Sequence, residues 1–208
     1  MANFFDQKPV QIVGYGSLLL EESARKSAPG LTGFRLVRVP NYIRIFNKVG
    51  IVFHTRRAIA PADVRRASCA TRWREGAEIV CTTFECPADE LPNLFEREHR
   101  FRWIDVEFQE MDGRTGTGKM CTEWTDEAYR ANRIKDEADY FNRVGQFYQG
   151  KLWRDDILPF PEYLKLCLAA SHSHSEELAT QFVQSSYLAD GRTTIESYLQ
   201  TTPNALTI

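Results

Sequence analysis

An α+β fold, with strands in roughly the first 125 residues and helices packed on the sheet they form, is predicted from three features. Apolar and β-branched runs bounded by turn residues recur from Gln11 to Trp124. From Thr125 onward the sequence becomes charged and helix-permissive. Strands first and helices last point to a helix-covered sheet, not to alternating βαβ units. At 208 residues the chain fits one large domain or two small ones and can bury a substantial core.

The elements follow in order. Gln11-Ile12-Val13 is a buried strand that runs into Gly14-Tyr15-Gly16-Ser17-Leu18, where two glycines let the backbone turn. Such a turn can aim several N–H groups into one concavity and receive a carboxylate or oxyanion, or it can be an ordinary tight turn. Residues 21–26 make a helical turn or two, ended by Pro29-Gly30. Phe34–Val39 and Tyr42–Phe46 alternate as two short strands joined by a turn at Pro40-Asn41, and Gly50–Phe53 offers a further short piece. Residues 58–66 are a loop or a short helix opened by Pro61. Ala67–Trp73 is extended, Arg74–Ala77 a turn, and Glu78–Cys86 a strand rich in β-branched residues.

Pro87–Leu91 opens a helix whose apolar stripe is Leu91, Leu94 and Phe95 at i, i+3 and i+4. Glu98 falls at i+7 on that stripe, whereas Glu96 points elsewhere. A carboxylate on a buried stripe must be paired, protonated or functional, and Arg97, Arg100 and Arg102 are the available partners. Phe101–Phe108 is a strand, Gly113–Gly118 a loop and Lys119–Trp124 its hairpin partner. Beyond lie a helical stretch over 126–147, a stiff Leu158-Pro-Phe-Pro connector, a helix over 162–170, and another from Glu176 capped by Ser175.

Composition excludes several classes. A net charge of −2 provides no global field to recruit nucleic acid or an anionic membrane. The paired arginines at 56–57, 65–66 and 72/74 are dispersed among acids and read as a solvated face. No stretch approaches the roughly 20 apolar residues of a membrane span. The N-terminal residues lack the charged start and apolar block of a signal peptide. Five cysteines without Cys-x-x-Cys spacing read as reduced thiols, so a cytoplasmic, soluble protein is expected. His172-Ser-His174 lies in a Ser-rich loop without acidic ligands, and no metal site is expected there. His54 and His99 read as structural. Gly-Tyr-Gly-Ser-Leu is not the Gly-x-Ser-x-Gly elbow of a serine nucleophile.

Tyr15-Gly16-Ser17-Leu18 after the first strand resembles the signature of the γ-glutamylcyclotransferase superfamily. Arg97-Glu98-His99 is similar to the word around the catalytic glutamate of its glutathione-degrading group, and Leu158-Pro-Phe-Pro-Glu-Tyr-Leu resembles a late helix of the family. The likeness is best over residues 10–125. It implies one domain over 1–208, a mixed β-barrel-like sheet with flanking helices, with the β-rich core at about 10–125 and a helical part at about 126–200. It also implies a small-molecule γ-glutamyl substrate, cyclised to 5-oxoproline with release of an amine. Glu98 would be the general acid/base, Tyr15, Gly16, Ser17 and Leu18 would bind substrate, and no cofactor is called for. Many members have a glycine where this chain has Cys81-Thr82, a change expected to narrow the pocket floor. A non-catalytic small-molecule binder of the same fold is the alternative, and an interaction module using the C-terminal helices a third. The oligomeric state is left open.

Overall fold

The computed structural model describes residues 8–56, 59–60 and 62–207, without the side chain of residue 56. The expectations for Met1–Gln7, Arg57, Ala58 and Pro61 lie outside those residues. Two long strands, β2 (Thr32–Val49) and β3 (Arg65–Cys86), run antiparallel and form the frame. β1 (Val10–Gly14) pairs antiparallel with the C-terminal half of β3 and parallel with β5 (Thr115–Thr122). β4 (Arg102–Glu110) joins β5 to the first half of β2. The order β3-β1-β5-β4-β2, with β2 returning to β3, closes a five-stranded barrel. The other halves of the long strands extend beyond it as a wing, edged by β6 (Leu158–Pro159) on β3 and β7 (Ser186–Leu188) on β2.

Here the structure corrects the sequence reading. Pro40-Asn41 and Arg74–Ala77 do not divide the chain into separate strands. They face each other within one pair, where the register jumps from Pro40↔Glu78 to Tyr42↔Trp73. Asn41 adopts φ +62°, a conformation that asparagine tolerates well, and Gly76 adopts φ +74°. The Asn41 Oδ1 accepts the Gly76 N–H at 3.0 Å. The turn residues thus make a bulge, which bends a continuous ladder where a hairpin would end it.

Gly50–Phe53 is also not a strand. Helix α2 (Ile51–Arg56) starts there, burying Ile51 and Phe53, and Phe53 stacks on Phe160 at 4.4 Å. A short apolar run has no periodicity long enough to separate the two states. The expected loop over Gly113–Gly118 is shorter, because Gly116 and Gly118 lie within β5. A Cβ on Gly116 would come within 2.6 Å of the Phe108 ring, and one on Gly118 within 3.0 Å of Val13. Both glycines mark close packing inside the sheet.

Alternation places side chains on the two faces. Val13, Val37, Val39, Ile79, Cys81, Val106, Phe108 and Met120 belong to the main core. Ile12, Phe84 and Cys86 point the other way, against Leu18, Leu31, Ala24 of α1 (Glu21–Arg25) and Leu94 of α3 (Leu91–Arg97). The stretch 126–147 divides into α4 (Asp126–Arg133), α5 (Glu137–Tyr140) and a wide turn, because Asp136 caps a second start by accepting the Asp139 N–H. Pro161 opens α6 (Pro161–His172), and Ser175 caps α7 (Glu176–Ser185) as its sequence foretells. β7 and α8 (Ile195–Thr201) were not foreseen. All five cysteines are free and buried. No helix among the described residues is long and apolar enough to cross a membrane.

The placement of Gly116 is testable. In a loop, Gly116→Ala would be close to neutral. Beneath the Phe108 ring it should cost about 1–3 kcal/mol in urea unfolding. Gly113→Ala, at φ +91° with nothing within 4 Å, should report only the backbone penalty of a left-handed residue, about 1–2 kcal/mol. Combining Gly116→Ala with Phe108→Leu should cost less than the two changes summed, because the ring that meets the new methyl is gone.

Candidate functional site

A cavity of about 450 Å³ lies where β1 ends, and Tyr15, Gly16, Ser17, Leu18 and Glu98 all line it. After Gly14 the chain turns through Tyr15-Gly16 into one tight helical turn, Ser17–Leu19. Neither Gly14 nor Gly16 has a positive φ, so backbone freedom of that kind is not what the two glycines supply. They supply space. A Cβ on Gly14 would stand 2.5 Å from Leu18 Cβ, and one on Gly16 2.6 Å from Tyr163 Oη. The phenol that fills this space belongs to α6, so the late Pro-Glu-Tyr-Leu segment reaches the same cavity.

The carbonyls of the turn are held from several sides. The Thr82 hydroxyl donates to Leu18 O at 2.8 Å, with Gly14 O also near at 3.3 Å. The buried Arg44 donates to Tyr15 O at 2.8 Å, and His174 Nε2 lies 2.8 Å from Leu19 O. Gly16 O and Ser17 O accept from Leu19 N and Leu20 N. No turn or cap hydrogen bond among the described residues uses the N–H of Gly16, Ser17 or Leu18. Backbone donors left over beside a concavity are the feature that suits an anion. Thr82 therefore supports the turn from behind. Among the described residues neither it nor Cys81 lines the cavity.

Glu98 reaches the cavity from the end of α3. The helix closes one residue before it, with Glu98 N bonded to Leu94 O at 3.0 Å and Phe101 N to Glu98 O at 2.9 Å, and the chain passes directly into β4. Its side chain is 16% exposed and pairs with Arg97 Nε at 3.1 Å; no ion pair to Arg100 or Arg102 is formed. Burial raises the Glu98 carboxyl above the ordinary glutamate range, against the opposing pull of Arg97, Lys48 and Arg100. Glu96, by contrast, is 65% exposed and pairs with Arg143 at 2.7 Å.

Lys48 escapes the sequence reading, and Arg97 and Arg100 enter it only as partners for Glu98. Arg97 was seen only as a partner for Glu98, yet its guanidinium also donates to Ser17 Oγ (3.1 Å), Ser23 Oγ (3.0 Å), Ser23 O (2.6 Å) and Ser27 Oγ (3.3 Å). It thereby ties the turn, α1 and Glu98 together. Lys48, buried near the end of β2, lines the cavity with its ammonium 4.5 Å over the Phe101 ring. A lysine close after the apolar pair Ile45-Phe46 and just before Val49 is the available signal. Arg100 completes the cationic wall.

The histidines stay outside. None lines the cavity, which leaves Ser17 without an imidazole base. His172 faces Glu176 at 3.4 Å, and His99 contacts Tyr129 Oη at 3.3 Å. No group of three or more His, Cys, Asp or Glu among the described residues could hold a metal ion.

No family model matches the chain, and no curated protein matches it significantly. Solved structures do. A γ-glutamyl cyclotransferase superposes with a TM-score of 0.56 at 14% identity, covering 84% of this chain and 85% of its own. An uncharacterised human protein gives the same values. A yeast γ-glutamyl cyclotransferase specific to glutathione gives 0.52 at 13% identity, covering 85% and 95%. At such identities the likeness is one of fold: the chain has the mixed α+β barrel with flanking helices seen in γ-glutamyl cyclotransferases.

Proposed function

We propose that the protein is an enzyme of the cyclotransferase type, converting a γ-glutamyl amine or peptide to 5-oxoproline and a free amine. The observation that carries this reading is Glu98, a largely buried carboxyl with a raised pKa, facing the same cavity as the Tyr15–Leu18 turn. The fold shared with γ-glutamyl cyclotransferases supports it.

The reaction is intramolecular. The substrate's α-amine attacks its own γ-carbonyl, a five-membered lactam closes, and the γ C–N bond breaks. Holding the chain in a folded pose supplies much of the rate, because nucleophile and electrophile are already tethered. The protein then has three tasks: to take a proton from the α-ammonium, to stabilise the tetrahedral oxyanion, and to return a proton to the departing nitrogen.

Glu98 performs the first and third in sequence. A carboxylate at the ordinary glutamate pKa of about 4.3 is a poor base toward an ammonium, and the raised value brings it nearer. The N–H groups of Gly16, Ser17 and Leu18, with the Ser17 hydroxyl, hold the substrate carboxylate or the oxyanion. Arg97 fixes Ser17 and Glu98 relative to each other, and its charge keeps the ionised base accessible despite burial.

Glu98→Gln should lower turnover by roughly 10²–10⁴-fold, read as 5-oxoproline release, with KM nearly unchanged. Glu96→Gln, on an exposed pair, should change activity little and stability by at most about 1 kcal/mol. A folded Glu98→Gln protein with full activity would end this mechanism.

A stability prediction follows from the same shift. A carboxyl whose pKa is raised on folding stabilises the fold fully below its unfolded value, and that stability is lost as pH rises through the folded value. Near pH 4 the amide and the protonated acid are equivalent, so Glu98→Gln and wild type should melt alike. As pH rises to neutrality the variant should gain on wild type. Melting midpoints that favour wild type increasingly with pH would instead identify Glu98 as a net-stabilising ion-pair partner.

A further inference from the structure

The described residues give the cavity more positive than negative charge, and one of its buried cations has no acceptor among them. Lys26, which is exposed, and Lys48, Arg97 and Arg100 line it, against one carboxylate among the described residues, that of Glu98. Arg97 spends its donors on Ser17, Ser23, Ser27 and Glu98. Arg100 donates from one nitrogen to Arg143 O at 2.6 Å, while its Nε is buried without an acceptor among the described residues. Lys48 is different. It is only 5% exposed, and its ammonium has the Phe101 ring as neighbour but no hydrogen-bond or ion-pair partner among the described residues.

An aromatic face attracts an ammonium but accepts none of its three N–H bonds in the manner of an oxygen. Burying a charge without a partner is costly, and proteins keep such groups where a ligand completes them. Burial, aided by Arg100 and resisted by Glu98, brings the Lys48 ammonium down to about 7. An arriving carboxylate reverses that shift and regains the charge.

We propose that Lys48 is a specificity-determining residue of this cavity, its ammonium binding a carboxylate of the substrate. The substrate's identity rests on the cyclotransferase reading, while the anion site rests on Lys48 alone. Two carboxylates qualify: the α-carboxylate of the glutamyl group, and a carboxylate on the departing amine. If the Tyr15–Leu18 turn takes the first, Lys48 is left for the second.

Calorimetry with glutarate, a dicarboxylate that has no amine and cannot cyclise, tests the site without turnover. At pH 6.5 Lys48→Met should weaken binding roughly 10-fold or more, the usual scale for losing a charged hydrogen bond, while Lys48→Arg should retain most of it. Lys48→Gln serves if the methionine variant does not fold.

Kinetics then distinguish the two sources. With γ-glutamylglycine and γ-glutamylethylamide, Lys48→Met should raise KM and leave kcat within a few-fold. A rise for γ-glutamylglycine alone assigns Lys48 to the departing carboxylate; a rise for both assigns it to the α-carboxylate. Lys48-dependent glutarate binding without 5-oxoproline from either compound would remove the cyclotransferase reading and leave the anion site standing. The inference is overturned if wild type binds no glutarate, if glutarate affinity and both KM values survive Lys48→Met, or if kcat falls at constant KM.

Discussion

The pairing of β2 with β3 is the constraint on which the rest of the molecule depends. Its register runs from Thr32↔Glu85 to Val49↔Ala67, and each strand is long enough to serve the barrel with one half and the wing with the other. A straight ladder of that length could not do both. The bulge at Asn41 and Gly76 bends the pair, and closure against β1, β5 and β4 follows. The frame also delivers the site. Thr82 on β3 supports the turn, Arg44 on β2 holds its Tyr15 carbonyl, and four residues later the same strand carries Lys48 to the cavity wall.

Arg44 shows how such a frame tolerates charge. It is fully buried, yet its guanidinium donates to Tyr15 O, to Val80 O and to Ser185 Oγ, and it lies over the Phe182 ring at 4.7 Å. With all three of its nitrogens donating, a buried cation acts as a fastener between barrel, turn and α7. Arg97 is a second fastener, between turn, α1 and Glu98. Lys48 shares the burial but has no such set of acceptors, which separates a structural cation from one left for a ligand.

What could be read from the sequence follows the range of the interactions concerned. The strand-turn at Tyr15–Leu18, the inward position of Glu98 and the outward one of Glu96 depend on local periodicity, and all three stand in the structure. The Ser175 cap is equally local. Failures came where a distant partner decides. Pro40-Asn41 and Arg74–Ala77 each read as chain breaks, and only their mutual pairing makes them a bulge. Gly116 reads as loop until Phe108 covers it, and Gly16 reads as conformational until Tyr163, far along the chain, fills the space. The role of Arg97 is hidden for the same reason, since its serine acceptors lie 70 or more positions earlier in the chain.

The electrostatics of the cavity have one further consequence. Desolvation pushes Glu98 toward its neutral acid and Lys48 toward its neutral amine, so both groups shed charge for the same reason. A ligand that brings an ammonium to Glu98 and a carboxylate to Lys48 or to the turn reverses both shifts at once. Each restored charge is then paired in a poorly solvated space, where it counts for more than in water. On the proposed reading this ligand is a γ-glutamyl group, which carries an ammonium and a carboxylate on one carbon. Binding therefore ionises Glu98 as it delivers the ammonium that Glu98 must deprotonate. On that reading the base is created by the arrival of its own substrate, and a ligand without the ammonium leaves Glu98 in its neutral form.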